Sequence, residues 1–276
     1  TTAKGGLYIG PETGTTADFW ESTNESIVFE DEQVATGFYV VSIRGANTTA
    51  DFELGNISSA NPANVRWSFL VESTTGDTTG GVTDTNSVWS GVDVITLNSN
   101  TTLTGTTIID SNGTFTQNGA TLSGIAVLNP NITTNGVALL SDSISDVIGC
   151  SFESNATGGH AVEYRPTGAG PFSVNWDGNK LTGYAVADGS TGDEAILIHP
   201  VTNSANITLT VTNGADVPTI MEHADYTGTF TLVQNTVTTA VNVVDNNGAD
   251  LQNANVYLKA SDGTGPLPFE DTVTIT

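Results

Sequence analysis

The chain reads as all-β, with a right-handed parallel β-helix at its centre, on three observations. Charged residues make up 13% of it, so surface polarity must come mostly from Thr, Asn, Ser and Gly; these suit strand faces and turns and suit long helices poorly. No stretch keeps a 3.6-residue apolar period over a dozen positions. Between residues 88 and 235, strand cores with alternating apolar positions recur at a regular interval, as in solenoids. The expected organisation is an N-terminal antiparallel β domain over 1–87, the parallel β-helix over 88–235, and the start of a β-sandwich-like module over 236–276. β-sandwich domains throughout are the rival architecture, since short strands with turn signals build those too.

The first region holds "LYIG", "SIVFE", "FYVVSIRG", "DFELG" and "VRWSFLVES", strand-like runs separated by acidic or Gly/Asn/Pro turns. It carries Lys4, Arg44 and Arg66, half of the basic residues, and ends in the Thr/Gly-rich segment 73–87, which reads as a linker or long loop.

In the second region two series of apolar residues set the repeat. Ile125, Ile148, Phe172, Ile207 and Phe230 open successive cores at intervals of 23, 24, 35 and 23 residues. Val137, Val162, Ile196, Ile220 and Val241 follow them at 25, 34, 24 and 21. One long step falls at the same place in both. The pattern is a roughly 23-residue repeat with about 11 residues inserted in one unit, and unit-specific insertions emerge from a solenoid as loops. Coils of this kind stack about 4.8 Å apart.

The third region reads as strand, Asp-Asn-Asn-Gly turn, polar link and strand. Its last letters, "DTVTIT", alternate like a strand without a closing turn. A continuing chain or pairing with another subunit is the expectation there.

Charge bounds the partners. Six basic against 30 acidic residues give a net charge of −24. Such a chain is repelled by phosphate backbones and anionic surfaces, so no nucleic-acid partner is expected. No apolar run is long enough to span a membrane as a helix, so no membrane insertion is expected either. A single cysteine precludes an internal disulfide framework.

Cys150 has His160 and Glu163 within thirteen residues. It falls between Ile148 and Phe152 in the inward register, where a free cysteine behaves as a small hydrophobe, and it is read as core rather than nucleophile. His199 and His223 stand alone in the sequence, and no metal-ligand spacing such as HExxH or CxxC occurs, so no metal site is expected. The repeat alignment places Glu153 five residues after Ile148 and Asp177 five after Phe172. Equivalent outward positions on adjacent coils would bring two carboxylates to about 5 Å, the spacing of a retaining glycosidase. Asp188 and Asp193, on the inserted segment 180–194, would join them in a hydrolase. Tyr184, Asp188, Asp193 and Glu194 on that insertion are the candidate glycan-binding residues, because loops on a rigid scaffold carry binding groups. The acidic turns "DNNGAD" and "DGSTGDE" would suit Ca²⁺ if any cofactor is used, although neither matches an EF-hand loop or the Ca²⁺-binding nonapeptide repeat. A polysaccharide lyase would need basic residues, and only Arg165 and Lys180 lie near these acids in sequence.

The Thr/Asn/Gly-rich coils of 101–235, with distinct β regions before and after them and neither disulfide nor leader-like segment, resemble β-helical structural proteins of tailed bacteriophages: tail spikes, fibres and capsid decoration or head-fibre proteins. The resemblance implies a virion location, anchoring to other virion proteins through residues 1–87, and a rigid projecting shaft, usually a homotrimer. The expected function is a non-enzymatic virion component. The alternatives are a spike that binds or hydrolyses a host-surface glycan, and a bacterial surface adhesin.

Overall fold

The computed structural model describes residues 3–9, 26–29, 37–44, 55–60, 65–72, 82–111, 114–131, 136–154, 159–184, 192–234, 244–246 and 248–249. Residues 1–235 form one compact unit and 236–276 a second.

The first unit is all-β, and every strand pairing described in it is parallel. Three sheets result. Sheet I has nine strands, from Ala3–Ile9 at one edge to Ile220–Glu222 at the other. Sheet II has seven, from Ser26–Phe29 to Lys180–Thr182. Sheet III has seven, from Thr83–Thr85 to Phe230–Gln234. Between Thr83 and Ile198 the chain visits sheets III, II and I in that order, five times over. Each strand therefore pairs with strands one coil before and after it, a solenoid-like arrangement. The parallel register is incompatible with a sandwich of antiparallel sheets.

Each sheet turns at least one column of side chains inward. In sheet I the column runs Leu7, Val41, Phe69, Ile95, Phe115, Leu139, Val162, Ile196, Ile220. In sheet II it runs Ile27, Ile57, Trp89, Ile108, Val127, Phe152, Leu181. In sheet III, Leu103 and Leu122 stack on Val147, and Trp176 on Val211. Burying each such side chain is worth about 1.5–3 kcal/mol, and alternation along short strands suffices to supply them.

The corner from sheet III into sheet II is made by one residue in the left-handed region on each coil, Asn86, Gly105, Gly124, Gly149 and Gly178, and Asn213 takes the same conformation after the next sheet III strand, with φ between 51° and 65° throughout. Each N–H from Gly105 to Gly178 donates to the carbonyl that precedes the next coil's corner, at 2.8–3.2 Å. Glycine and asparagine tolerate this conformation where other residues are strained by it.

Two sequence expectations change. The strands of 1–87 do not form an antiparallel domain: they pair parallel with one another, and Val65–Glu72 pairs parallel with Val92–Thr96. Their core is also continuous with that of the later coils, for Trp67 and Phe69 both pack on Trp89, with ring centroids 6.1 and 4.9 Å away. Acidic and Gly/Pro turns mark chain reversals and solenoid corners alike, so they could not distinguish the two pairings. The segment read as a linker likewise contributes Thr83–Thr85, the first described strand of sheet III.

The repeat is real but less uniform than read. Down sheet II the steps from Trp89 are 19, 19, 25 and 29 residues. Ile125 and Ile148 do not belong with Phe172, Ile207 and Phe230, which form one column of sheet III. Ile148 is exposed, and the Gly149 corner separates it from Phe152 in sheet II. In the second unit, Asp245 and Ala249 close the expected tight turn, with Asp245 N–H to Ala249 O at 2.8 Å and Ala249 N–H to Asp245 Oδ1 at 2.9 Å. The rest of the sandwich-like reading lies outside the described residues.

Glycine substitution separates conformational cost from steric cost. A Cβ at Gly124 (φ 61°) meets nothing closer than 4.0 Å, whereas one at Gly183 (φ 82°) lies 2.0 Å from the Ser154 carbonyl oxygen. Gly124→Ala is expected to lower unfolding stability by about 1–2 kcal/mol. Gly183→Ala should cost distinctly more, which denaturant titration of both variants will show.

Candidate functional site

The cysteine, histidine and glutamate of 150–163 do not meet as a catalytic group. Cys150 follows the Gly149 corner and is fully buried, its Sγ 3.5 and 3.4 Å from the carbonyl oxygens of Leu122 and Ile148. Its N–H donates to Asn179 Oδ1 on the next coil, and Asn179 Nδ2 donates back to Val147 O. Burial pushes the thiol up to about 11, further than the neighbouring backbone hydrogen bonds pull it down. His160 is also buried, with Nδ1 2.6 Å from the Glu194 carbonyl oxygen. A carbonyl only accepts, so Nδ1 carries the proton.

Glu153 and Asp177 lie on different sheets. Glu153 is exposed at the end of a sheet II strand, in register with Leu128 and Thr182. Asp177 ends a sheet III strand in register with Ile148 and Thr212, and its Oδ1 accepts from Asn213 Nδ2. Five residues counted from Ile148 pass the Gly149 corner, while five from Phe172 stay within one strand. The two acids therefore form no stacked pair. On the insertion, Tyr184 packs against the core, and burial raises its phenol above the ordinary range. Glu194 is 1% exposed, Asp193 is half-buried, and Asp188 lies outside the described residues.

A different constellation forms at the outer end of sheet I. His199 Nδ1 sits 2.6 Å from Glu163 Oε1 across adjacent coils. The His199 ring stacks on that of His223 one coil further, centroids 3.7 Å apart and planes 10° from parallel. His223 Nδ1 accepts the Asp225 N–H at 3.2 Å, which places its own hydrogen on Nε2. One imidazole is thus oriented by a carboxylate and the other by the backbone, and neither Nε2 makes a hydrogen bond among the described residues. Sequence separations of 36 and 24 residues hid this contact. The signal was the second apolar series, which puts Val162, Ile196 and Ile220 in one column and so carries the residues just beyond them into register.

Among the described residues, no group of three or more His, Cys, Asp or Glu side chains is placed to hold a metal ion. No protein-family model, curated protein or solved structure matches the chain.

Cys150 should not react with a disulfide reagent in the native protein near pH 8, and should react fully once denaturant unfolds it. Its folded pKa lies above its unfolded one, so its contribution to stability is complete below about pH 9 and lost as pH rises towards about 11. Denaturant midpoints of the wild type compared with Cys150→Ala across that range will show whether the wild type alone carries this loss.

Proposed function

We propose that the chain is a non-enzymatic structural component of a bacteriophage virion, a capsid decoration or part of a fibre or spike, whose solenoid serves as a rigid projection. The observation that carries this reading is the unbroken column from Leu7 to Ile220, nine apolar residues on nine parallel strands. A stack in which every rung is held by the next resists bending and suits a spacer. We take the winding to be right-handed, because parallel strands joined through a crossover are right-handed in nearly all proteins.

Other features favour the same reading. The sequence's reactive candidates serve the stack instead: Cys150 fills the core, and Glu153 and Asp177 face different sides. Over three successive strands the outward side of sheet II carries Val88, Thr107 and Ala126 in one column and Ser90, Ile109 and Leu128 in the next, an uncharged stretch that ends where Glu153 and Lys180 continue these columns. In a chain of net charge −24 this is a face where copies can meet without repulsion, in keeping with a homotrimer.

Antibody labelling of intact particles viewed by electron microscopy is expected to mark surface projections. The proposal fails if the purified protein releases reducing ends from a bacterial polysaccharide and Glu153→Gln or Asp177→Asn abolishes that release.

A further inference from the structure

We propose that Arg165, His199 and His223 form a binding site for a carboxylate-bearing sugar within an otherwise neutral glycan. The three occupy one rung position on successive coils. Tyr164, Ile198 and Glu222 are in register in sheet I. One residue later, His199 N–H donates to Tyr164 O and His223 N–H to Ile198 O, while Arg165 N–H donates to Ser141 O on the coil before. Neighbouring rungs are about 4.8 Å apart, so the row of three spans about 10 Å, the scale of one or two pyranose rings.

The grouping is notable in this composition. The chain has six Lys and Arg and three His in 276 residues, and three of these nine stand consecutively in one column. The other Lys and Arg side chains that the structure describes are engaged: Arg66 with Asp93 at 3.7 Å and Lys180 with Asp216 at 2.9 Å. Arg165 is exposed, and its guanidinium forms no ion pair among the described residues. The next residue up the column, Asp142, directs its Oδ1 to the Gly119 N–H on the coil beyond.

The donors and acceptors are ordered. Arg165 offers a planar fork that matches a carboxylate. His199 gives its Nδ1 hydrogen to Glu163, so its Nε2 accepts a hydroxyl. His223, held through Nδ1, presents an Nε2–H donor. A carboxylate, a hydroxyl and a further oxygen along about 10 Å describe an acidic sugar of the uronate kind. A polyanion fits poorly, because Glu163, Asp142 and Asp225 surround the row and the whole chain is strongly acidic. The site needs only the coil stacking, not the virion assignment.

The test is calorimetric and NMR titration of the full chain with methyl β-D-glucuronide, with methyl β-D-glucoside and acetate as controls. The glucuronide is expected to bind saturably and shift the His199 and His223 ring resonances, with both controls at least about tenfold weaker. Losing a charge-assisted fork should weaken binding about tenfold or more in Arg165→Gln. Arg165→Lys should fall between, and both variants should keep the wild-type unfolding midpoint, since the side chain makes no ion pair among the described residues. Absence of glucuronide binding, wild-type affinity in Arg165→Gln, or acetate binding as tightly as the glucuronide would each overturn the proposal.

Discussion

The whole stack depends on one backbone constraint, the left-handed residue that turns each coil from sheet III into sheet II. It sets how many residues a coil must use before its next strand begins. Because the same hydrogen bond is made at that corner on every coil from Gly105 to Gly178, it holds the coils in a common register. Parallel strands a coil apart then pair without any hairpin, and inward columns follow from simple alternation. Coil lengths vary from 19 residues to 35, but the extra residues leave the path between strands and do not shift the columns. The insertion of 183–194, between Lys180–Thr182 and Ile196–Ile198, is tolerated on the same ground.

That constraint also explains the polar groups inside. Behind each corner sits an inward residue: Ser87, Thr106, Ile125, Cys150 and Asn179 on successive coils. Where it is polar it bonds to a buried partner in its own coil or the neighbouring one. Asp84, fully buried on the first described strand of sheet III, accepts from Ser87 Oγ at 2.7 Å and from Thr106 Oγ1 at 2.5 Å. Asn179 joins Cys150 N–H and Val147 O at 2.7 and 2.8 Å. Buried polar groups need partners, and here the same coil supplies that of Ser87 and the neighbouring coil those of Thr106 and Asn179. Gln117, at the corner from sheet I back to sheet III, donates to Ala120 O within its own coil and to Ser143 O on the next.

Much of this was legible in the letters. Alternation marked the strands, and Val162, Ile196 and Ile220 marked a true column. The long step shared by both series is real, at 34 and 35 residues, but the segment 180–194 read from it opens with Lys180–Thr182, a regular strand of sheet II. Two things were not legible. Parallel and antiparallel neighbours use the same strand and turn residues, so the first 87 residues read as a separate antiparallel domain. Corner geometry is also carried by single residues: Gly149 and Gly178 look like ordinary turn glycines, yet each moves everything after it onto another face. Counting through one corner but not the other is what paired Glu153 with Asp177. Arg165, His199 and His223 were left apart for a different reason, the 34 and 24 residues between them, although each follows a residue of a correctly placed strand by one position.

A stack built this way has open ends, and the end of sheet II shows how one is closed. After Lys180–Thr182 no further described strand joins that sheet. The segment around Asp216 takes the place of the missing rung. Asp216 N–H donates to Asn179 O, and its Oδ2 accepts the Leu181 N–H at 3.0 Å. Lys180 Nζ reaches Asp216 Oδ1 at 2.9 Å and Gly214 O at 2.8 Å, and Trp176 Nε1 donates to Asp216 O at 3.0 Å. Burial pushes the Asp216 carboxyl up, but the Leu181 N–H and the Lys180 ammonium together outweigh it and hold it below the ordinary range. A carboxylate laid along a strand edge satisfies an N–H that another chain would otherwise take, and it brings a charge that a further β-strand would have to bury. Acidity in this chain is therefore more than a solubility device. Placed at an edge it ends a sheet, and buried at Asp84 it satisfies hydroxyl donors inside the stack. Two of the three described Lys and Arg side chains are committed, with Arg66 donating to Val92 O and Asp110 O across the early coils and Lys180 held at this edge. That economy is what makes an exposed arginine beside two stacked imidazoles unlike the rest of the surface.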